Sequence, residues 1–216
     1  MLISDKLNTI IRILLINVFE DKPDLTISSI TREAKITGAM TKRLLLRLER
    51  SEYIKIKGRV IVINPIKLMK AWSYTYSIKE IECMEYVTAE RSQYIISKIS
   101  NWARANNINY AFTLFSATEQ VSPYVAPTNT YLYINKDEIE LWEKFFRENR
   151  MLPAEKKGNV VCFLVNEDYL KGVLKVRGTN IVSLPQLYAD LMSFGGRGEE
   201  AAKEVMEIIK KQKKSY

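Results

Sequence analysis

The sequence predicts an α+β protein in which a helical segment with a β-hairpin precedes a larger mixed α/β domain. Two observations lead to this prediction. Over residues 5–64, apolar side chains recur first at helical spacing and then in alternation, the order of three helices and a hairpin. From Cys83 onwards, short β-rich runs alternate with amphipathic segments, which is typical of a sheet covered by helices. We therefore divide the chain into residues 1–64, a connecting helix and linker in residues 65–82, and residues 83–216.

The composition excludes several classes of protein. The chain has 216 residues, of which 47% are hydrophobic and 27% charged, as expected of a folded domain with its own core. No apolar run approaches the ~20 residues that span a bilayer, and the N-terminus lacks the pattern of a signal peptide, so we expect a cytoplasmic protein. Two cysteines and no histidine argue against a zinc site, a disulfide framework and histidine-based catalysis. We predict no metal, no cofactor and no catalytic residues.

The positive charge is concentrated at the N-terminal end. Residues 1–70 contain 14 Lys and Arg against 7 Asp and Glu, a net charge of +7, whereas the other residues contain 19 against 18. A solubilising charge would be spread over the whole chain. The concentration instead predicts a polyanionic partner, because neutralised phosphates release condensed counterions.

The first 64 residues carry clear start and stop signals. Apolar residues from Leu7 to Val18 predict a first helix, with Asp5 as its cap and an end near Pro23. A second helix is predicted through Ala34, capped by Ser28 or Thr26. Residues 35–38 form the next turn, and Thr37 caps a third helix over 39–52 whose predicted buried side is Met40, Leu44, Leu45 and Leu48. Residues 53–57 and 60–63 alternate around Gly58 and Arg59 as a short hairpin.

Three helices followed by a hairpin of this size form the layout of a winged helix-turn-helix. The run Thr37–Ile54, T-G-A-M-T-K-R-L-L-L-R-L-E-R-S-E-Y-I, resembles the recognition helix and first wing strand of winged-helix regulators of the MarR and ArsR types. Those regulators often carry glycine at the position of Glu52, so we expect a slightly different turn between helix and strand. The resemblance implies binding to double-stranded DNA, with two winged helices acting on half-sites as a homodimer or cooperatively.

The predicted DNA contacts come from the third helix and the hairpin. A helix fits the major groove, where Arg bonds guanine bidentately and a small side chain lies beside a thymine methyl, while cations on the wing suit backbone or minor-groove contact. The alternative is a solvated basic face on a protein-interaction module. The predicted contact residues are Thr37, Ala39, Lys42, Arg43, Arg47, Arg50, Lys55, Lys57 and Arg59.

The remaining elements are predicted from shorter signals. Helices are expected over 65–80, 89–105, 110–120, 136–149, 185–194 and 199–212, and strands over 85–88, 130–134, 160–165, 173–176 and 181–184. Pro123 and Pro127 bracket a loop. Ser183 is the expected cap of the helix that Pro185 opens, and Gly195-Gly196 ends it.

A second resemblance covers this part of the chain. The segments Tyr110–Thr118 (with Tyr124 after it), Tyr131–Ile134, Val182–Leu191 and Gly196–Ala202 resemble the C-terminal domain of AbiEi-type antitoxins, regulators of type IV toxin–antitoxin (abortive infection) systems. The run S-x-P-Q-L-Y-x-D-L…G-R-G-x-E-A-A is its most specific part. The resemblance implies a domain similar to a degenerate nucleotidyltransferase fold. It also implies a repressor of its own promoter that counteracts a nucleotidyltransferase toxin without a stable complex.

Two other hypotheses stay open beside this one. In the first, the C-terminal domain dimerises or senses a ligand. In the second, it is an active nucleotidyltransferase, which requires a Gly-Ser turn and an Asp-x-Asp pair on the adjacent strand to hold Mg²⁺. The chain has Leu114-Phe115-Ser116 at the turn and no acid in residues 130–134, which argues against activity.

The motif residues Gln186, Asp190, Arg197 and Glu200 have an open role at this point. Arg197, between glycines at a helix start, would hold a phosphate, because free N–H groups and the helix dipole favour anions there. Alternatively, Arg197 pairs with Asp190 or Glu200 and fixes the angle between two helices. We favour this second, structural interpretation.

Overall fold

The computed structural model describes residues 3–20, 25–122 and 127–214, and no helix in these ranges is long and apolar enough to cross a membrane. The chain divides into two compact units, Met1–Tyr76 and Ser77–Tyr216. Helices and a mixed sheet place it in the predicted α+β class. Pro23, Pro123 and Tyr124, which entered the sequence-based interpretation, lie outside the described residues.

Three helices open the first unit: α1 (Ile3–Phe19), α2 (Ile27–Ala34) and α3 (Gly38–Arg50). The predicted cap of α1 is wrong, because the helix begins two residues before Asp5 and places this acid in its first turn. The carboxylate still lies where the helix dipole favours it. Thr26, one of the two predicted caps of α2, forms a capping box. Its hydroxyl accepts from the N–H of Ser29 (3.0 Å), whose own hydroxyl accepts from the N–H of Thr26 (2.9 Å).

A β-hairpin follows α3, as the sequence predicts, with antiparallel strands β1 (Ile54–Lys57) and β2 (Arg59–Val62). Gly58 forms its tip with a φ of +69°, a conformation that glycine adopts without steric cost. Leu25, just before α2, forms an isolated bridge with Val60, whose N–H donates to the Leu25 carbonyl at 2.6 Å. Backbone hydrogen bonds thus connect the hairpin to the helical part of the unit.

Helix α4 (Pro65–Ser73) is shorter than the helix predicted up to about Glu80. A separate 3-10 turn, Ile78–Glu80, belongs to the second unit. The indole of Trp72 is 2% exposed, and its Nε1–H donates to Asn8 Oδ1 in α1 at 3.1 Å. Helix α4 is therefore a packed element of the first unit and does not serve as a free linker.

The second unit is built on a mixed sheet with strands β3 (Cys83–Val87), β4 (Tyr110–Phe112), β5 (Thr130–Asn135), β6 (Leu152–Pro153), β7 (Val160–Val165), β8 (Leu174–Val176) and β9 (Thr179–Ile181). In the described ranges the strand order is β6-β3-β7-β5-β4-β9-β8. The pairs β5–β7 and β4–β9 are parallel, and the other pairs are antiparallel. The central strands are buried, so the core lies on both sides of the sheet.

Helices of this unit cover the sheet: α5 (Ser92–Asn106), α6 (Leu114–Val121), α7 (Ile139–Glu148), α8 (Leu184–Phe194) and α9 (Arg197–Lys214). Aromatic rings fill much of the space beneath them. Trp142 and Phe146 of α7 are fully buried, and the Phe146 ring lies 4.2 Å from that of Tyr86 on β3. Ser183 caps α8 as predicted, since its hydroxyl accepts from the N–H of Gln186.

Three predicted elements of this unit need correction. The predicted helix over 110–120 begins as a strand, because residues 110–112 are inserted between β5 and β9 and are wholly buried. The last strand ends at Ile181 instead of Leu184, since Ser183 already caps α8. Strand β6, with two residues, is absent from the prediction.

Candidate nucleic-acid interface and C-terminal motif

The predicted contact surface begins at the turn between α2 and α3. Lys35 ends α2 in the left-handed conformation, with a φ of +52°. The exposed Thr37 caps α3, because its hydroxyl accepts from the N–H of Met40 at 3.4 Å and its carbonyl accepts the Thr41 hydroxyl at 3.1 Å. Both signals are local, which is why the sequence predicts this turn correctly.

Helix α3 has one apolar face and one cationic face. The predicted buried side is correct for the three leucines and wrong at Met40, which is half-buried, while Thr41 one residue further is fully buried. Thr41 points inwards because its hydroxyl is satisfied by the backbone of Thr37. The opposite face consists of exposed side chains three or four residues apart, which is the spacing of one helix face: Ala39, Lys42, Arg43, Arg47 and Arg50.

The cationic face of α3 carries four exposed basic side chains. In the described ranges, no ion pair involves Lys42, Arg43, Arg47 or Arg50. Arg43 only donates to the Sδ of Met40, at 3.0 Å. The Glu49 carboxylate instead accepts the N–H of Ile56 at 2.7 Å. Glu49, the acidic residue of α3, thus bonds to β1 and does not neutralise the cationic face.

The hairpin extends the cationic surface. Lys55, Lys57 and Arg59 are exposed, as predicted. Lys57 lies opposite Arg59, and Lys55 lies opposite Ile61. Because opposite residues of a pair and residues two apart along a strand share a face, these side chains all lie on one side of the hairpin.

The turn from α3 to β1 keeps the shape that glycine would adopt. Glu52 has a φ of +60°; its N–H donates to the Glu49 carbonyl (2.9 Å), and the next N–H, of Tyr53, donates to the Leu48 carbonyl (3.1 Å). This is the Schellman arrangement, which usually places glycine at the left-handed position. The expectation of a different turn between helix and strand is therefore wrong. Glu52 adopts the left-handed conformation that glycine usually adopts at this position, although its side chain makes that conformation less favourable.

The motif residues Gln186 and Asp190 lie inside the second unit. Asp190 is fully buried and accepts hydrogen bonds from the hydroxyl of Thr113 (2.5 Å), the hydroxyl of Tyr133 (3.0 Å) and the amide of Gln186 (2.7 Å). The Gln186 amide also donates to the hydroxyl of Tyr169 at 3.1 Å. This buried network joins α8 to the turn after β4, to β5 and to the segment after β7.

Sequence reasoning missed Thr113, Tyr133 and Tyr169 as partners of the motif. The spacing of Gln186 and Asp190, four residues apart in an otherwise apolar helix, indicates a shared polar face. Their partners are between 17 and 77 residues away in sequence, and no local pattern identifies them.

Arg197 and Glu200 are exposed whereas Asp190 is fully buried, and the ion pairs of the described residues do not include the predicted pair of Arg197 with either acid. The Arg197 guanidinium instead lies 5.8 Å from the ring centre of Phe115. The angle between α8 and α9 is set by Gly198, because a Cβ there would lie 2.3 Å from the Leu191 carbonyl oxygen.

The described residues include no group of three or more Cys, Asp or Glu side chains placed to hold a metal ion. The two cysteines are free thiols. Cys162 pairs with Met84 and Cys83 with Phe163, so the two thiols lie on opposite faces of the sheet. Burial raises the pKa of the Cys162 thiol well above its ordinary value, which keeps it protonated and unreactive.

A cationic helix-and-hairpin unit joined to a mixed-sheet unit with a buried motif fits the class of transcriptional regulators. Residues 59–212 match the family described as "Transcriptional regulator, AbiEi antitoxin, Type IV TA system". The chain therefore belongs to the AbiEi antitoxin family, which confirms the resemblance of its C-terminal segments. The match includes β2, α4 and almost the whole second unit. No curated protein and no solved structure matches the chain.

Proposed function

We propose that the first unit is a winged helix-turn-helix that binds operator DNA, with α3 in the major groove and the hairpin as its wing. One observation carries this proposal: every predicted contact side chain on α3 and the hairpin is exposed, and within the described ranges no carboxylate forms an ion pair with the α3 cations. Exposed cations without internal partners are available to phosphates and base edges. The net charge of +7 over residues 1–70 adds long-range attraction to a polyanion.

The surface suggests a division of roles among its side chains. Arg43 and Arg47 lie one turn apart on α3, where guanidinium groups reach guanine O6 and N7 bidentately. Ala39, exposed in the first turn, suits a thymine methyl. Lys55 and Lys57 on the hairpin suit phosphates beside the groove. Half-site binding by a homodimer or by cooperative monomers completes the proposal.

The family membership supports a finer proposal for the whole chain. We infer that it represses its own promoter and counteracts a nucleotidyltransferase toxin encoded beside it. The second unit is proposed to be a degenerate nucleotidyltransferase-like fold. Strands β4 and β5 are antiparallel neighbours joined through α6, and Leu114 after β4 has a φ of +48°, a conformation that favours glycine. Tyr131 and Tyr133 occupy β5, where that chemistry requires paired acids, so we propose a protein without transferase activity.

A gel-shift titration with the DNA upstream of the gene tests the first part. Replacing Arg43 and Arg47 together by alanine should weaken binding by about 2–6 kcal/mol, since each bidentate base contact is worth ~1–3 kcal/mol. Lys70→Ala removes an exposed cation of the same unit from α4 and serves as the matched control, with little expected change. Unchanged affinity in the double variant, or an equal loss in the control, would refute α3 as the recognition helix.

Co-expression tests the second part. The full chain should restore growth to cells that express the neighbouring nucleotidyltransferase toxin, and it should do so without co-purifying with it. Absence of rescue would end the antitoxin proposal and leave a regulator whose second unit dimerises or senses a ligand. Metal-dependent nucleotide incorporation by the purified chain would instead revive the enzymatic alternative.

A further inference from the structure

A groove of about 250 Å³ lies between α6 and α9 in the second unit. Phe115 and Thr118 of α6 line one side, and Arg197, Glu200 and Glu204 of α9 line the other. Sites for drug-sized ligands usually measure ~300–1,000 Å³, so this groove is large enough for only a small planar group.

The aromatic wall of the groove is formed by Phe115. Its ring packs edge-to-face against Phe194 at a centroid distance of 5.3 Å and lies 6.4 Å from Tyr131. All three rings are partly exposed. The guanidinium of the exposed Arg197 lies over the Phe115 ring at 5.8 Å, and such contacts at exposed sites are weak. A planar ligand can therefore replace Arg197 on this ring at little cost.

The charged side chains of the groove lie on one helix, α9. Arg197, Glu200 and Glu204 follow at spacings of three and four residues, so they share one helix face. Despite this spacing, no ion pair joins them in the part of the chain that the structure describes. A strong donor, Arg197, and two strong acceptors, Glu200 and Glu204, thus lie side by side on α9.

We propose that this groove binds the guanine base of a free guanosine nucleotide. Guanine carries the acceptors O6 and N7 on one edge, which match an arginine, and its N1–H and N2–H donors on the adjacent edge match a carboxylate. The base would stack on Phe115, bond Arg197 through O6 and N7, and bond Glu200 through its donors. Adenine carries the N6–H₂ donor where guanine carries the O6 acceptor, so it does not match Arg197 in the same way.

The charges favour a free nucleotide over a nucleic-acid strand. Among the described residues that line the groove, two carboxylates, Glu200 and Glu204, accompany one cation, Arg197, so a chain of phosphates gains no continuous cationic track. The groove consists of residues of the second unit and shares none with the surface proposed to bind DNA. A failure of either proposal leaves the other in place.

Isothermal titration of the full chain with guanosine and adenosine monophosphate tests the proposal. Guanosine monophosphate should bind with a Kd of about 0.1–1 mM, the affinity range of a small, open site, and about tenfold more tightly than adenosine monophosphate. Arg197→Ala should lower that affinity about tenfold or more, the size of one bidentate contact. Lys203→Ala, which removes another exposed cation of α9 outside the groove, is the matched control and should bind normally.

A second variant tests base selection and does not depend on affinity alone. Glu200→Gln should weaken binding of the guanine nucleotide. It should also reduce the ratio of the two dissociation constants, because a glutamine amide can bond adenine. No saturable binding, equal binding of both nucleotides, or an equal loss in Lys203→Ala would overturn the proposal. Tighter binding of a guanine-containing RNA trinucleotide than of the mononucleotide would also overturn it, in favour of a strand.

Discussion

The two units of the chain keep their most informative side chains in opposite places. In the first unit, the residues predicted to contact DNA are exposed on α3 and the hairpin, and the fold would lose little stability without their side chains. In the second unit, the core of the family-specific run, Gln186 and Asp190, is buried in a hydrogen-bond network. Surface residues select a partner, whereas these buried residues hold a sheet and a helix together.

This contrast changes how the C-terminal motif is interpreted. The run from Ser183 to Ala202 identifies the family, but most of its members have packing or capping tasks: Ser183 caps α8, Asp190 organises the network, and Gly198 permits close helix contact. Its exposed residues lie around the start of α9: Gly196, Arg197, Glu199 and Glu200. A family-specific sequence motif can thus arise from the packing of a particular core as well as from a binding site.

The largest expected effect in the second unit comes from Asp190. Asp190→Ala would leave the donors of Thr113, Tyr133 and Gln186 without their acceptor, and we expect a loss of about 3–5 kcal/mol in the free energy of unfolding, since each buried donor left unsatisfied costs ~1–3 kcal/mol. Denaturant unfolding measures this loss. Glu200→Ala, an exposed acid of the same motif, is the control, and equal stability of the two variants would refute a structural role for Asp190.

The substitution Gly198→Ala tests the structural role of the motif by adding a single methyl group. In Gly198→Ala the new Cβ would lie 2.3 Å from the Leu191 carbonyl oxygen, so α8 and α9 must separate, and overpacking of this kind costs about 1–3 kcal/mol. Gly38→Ala, at the start of α3, meets nothing within 4 Å and should leave thermal stability unchanged or slightly raised. A tolerant Gly198 would show that the two helices are not in tight contact.

The smallest effect is expected from the hairpin, and it concerns binding alone. Lys55→Ala combined with Lys57→Ala should leave the unfolding transition in place, because both side chains are exposed. The slope of log Kd against log salt should fall in magnitude by about 2, since each phosphate contact contributes ~0.9. An unchanged slope would remove the hairpin from the proposed interface.

The sequence predicts the first unit well because its signals are local. Thr26 and Thr37 cap helices within three residues of their partners, and Gly58 marks the hairpin tip. The one misjudged turn lies at Glu52, where the backbone geometry of a Schellman motif prevails over the preference of the side chain.

The second unit is harder to predict because its elements depend on distant partners. Residues 110–112 have a helix-compatible sequence, but pairing with β5 and β9 makes them a strand. Strand β6 has only two residues, and one of them is a proline at the sheet edge, so it lacks any local strand signal. The network around Asp190 and the groove beside Phe115 combine residues from separate helices and strands, which only the tertiary structure brings together.

The hydrogen bond from the N–H of Ile56 to Glu49 has a consequence for any duplex that meets this unit. It connects β1 to α3 and so restrains the spacing between the hairpin and the helix. Under the proposed mode of DNA binding, a site with the wrong groove width would have to deform its own backbone to contact both elements. Sequences that bend or narrow easily would be preferred at base pairs that no side chain reaches.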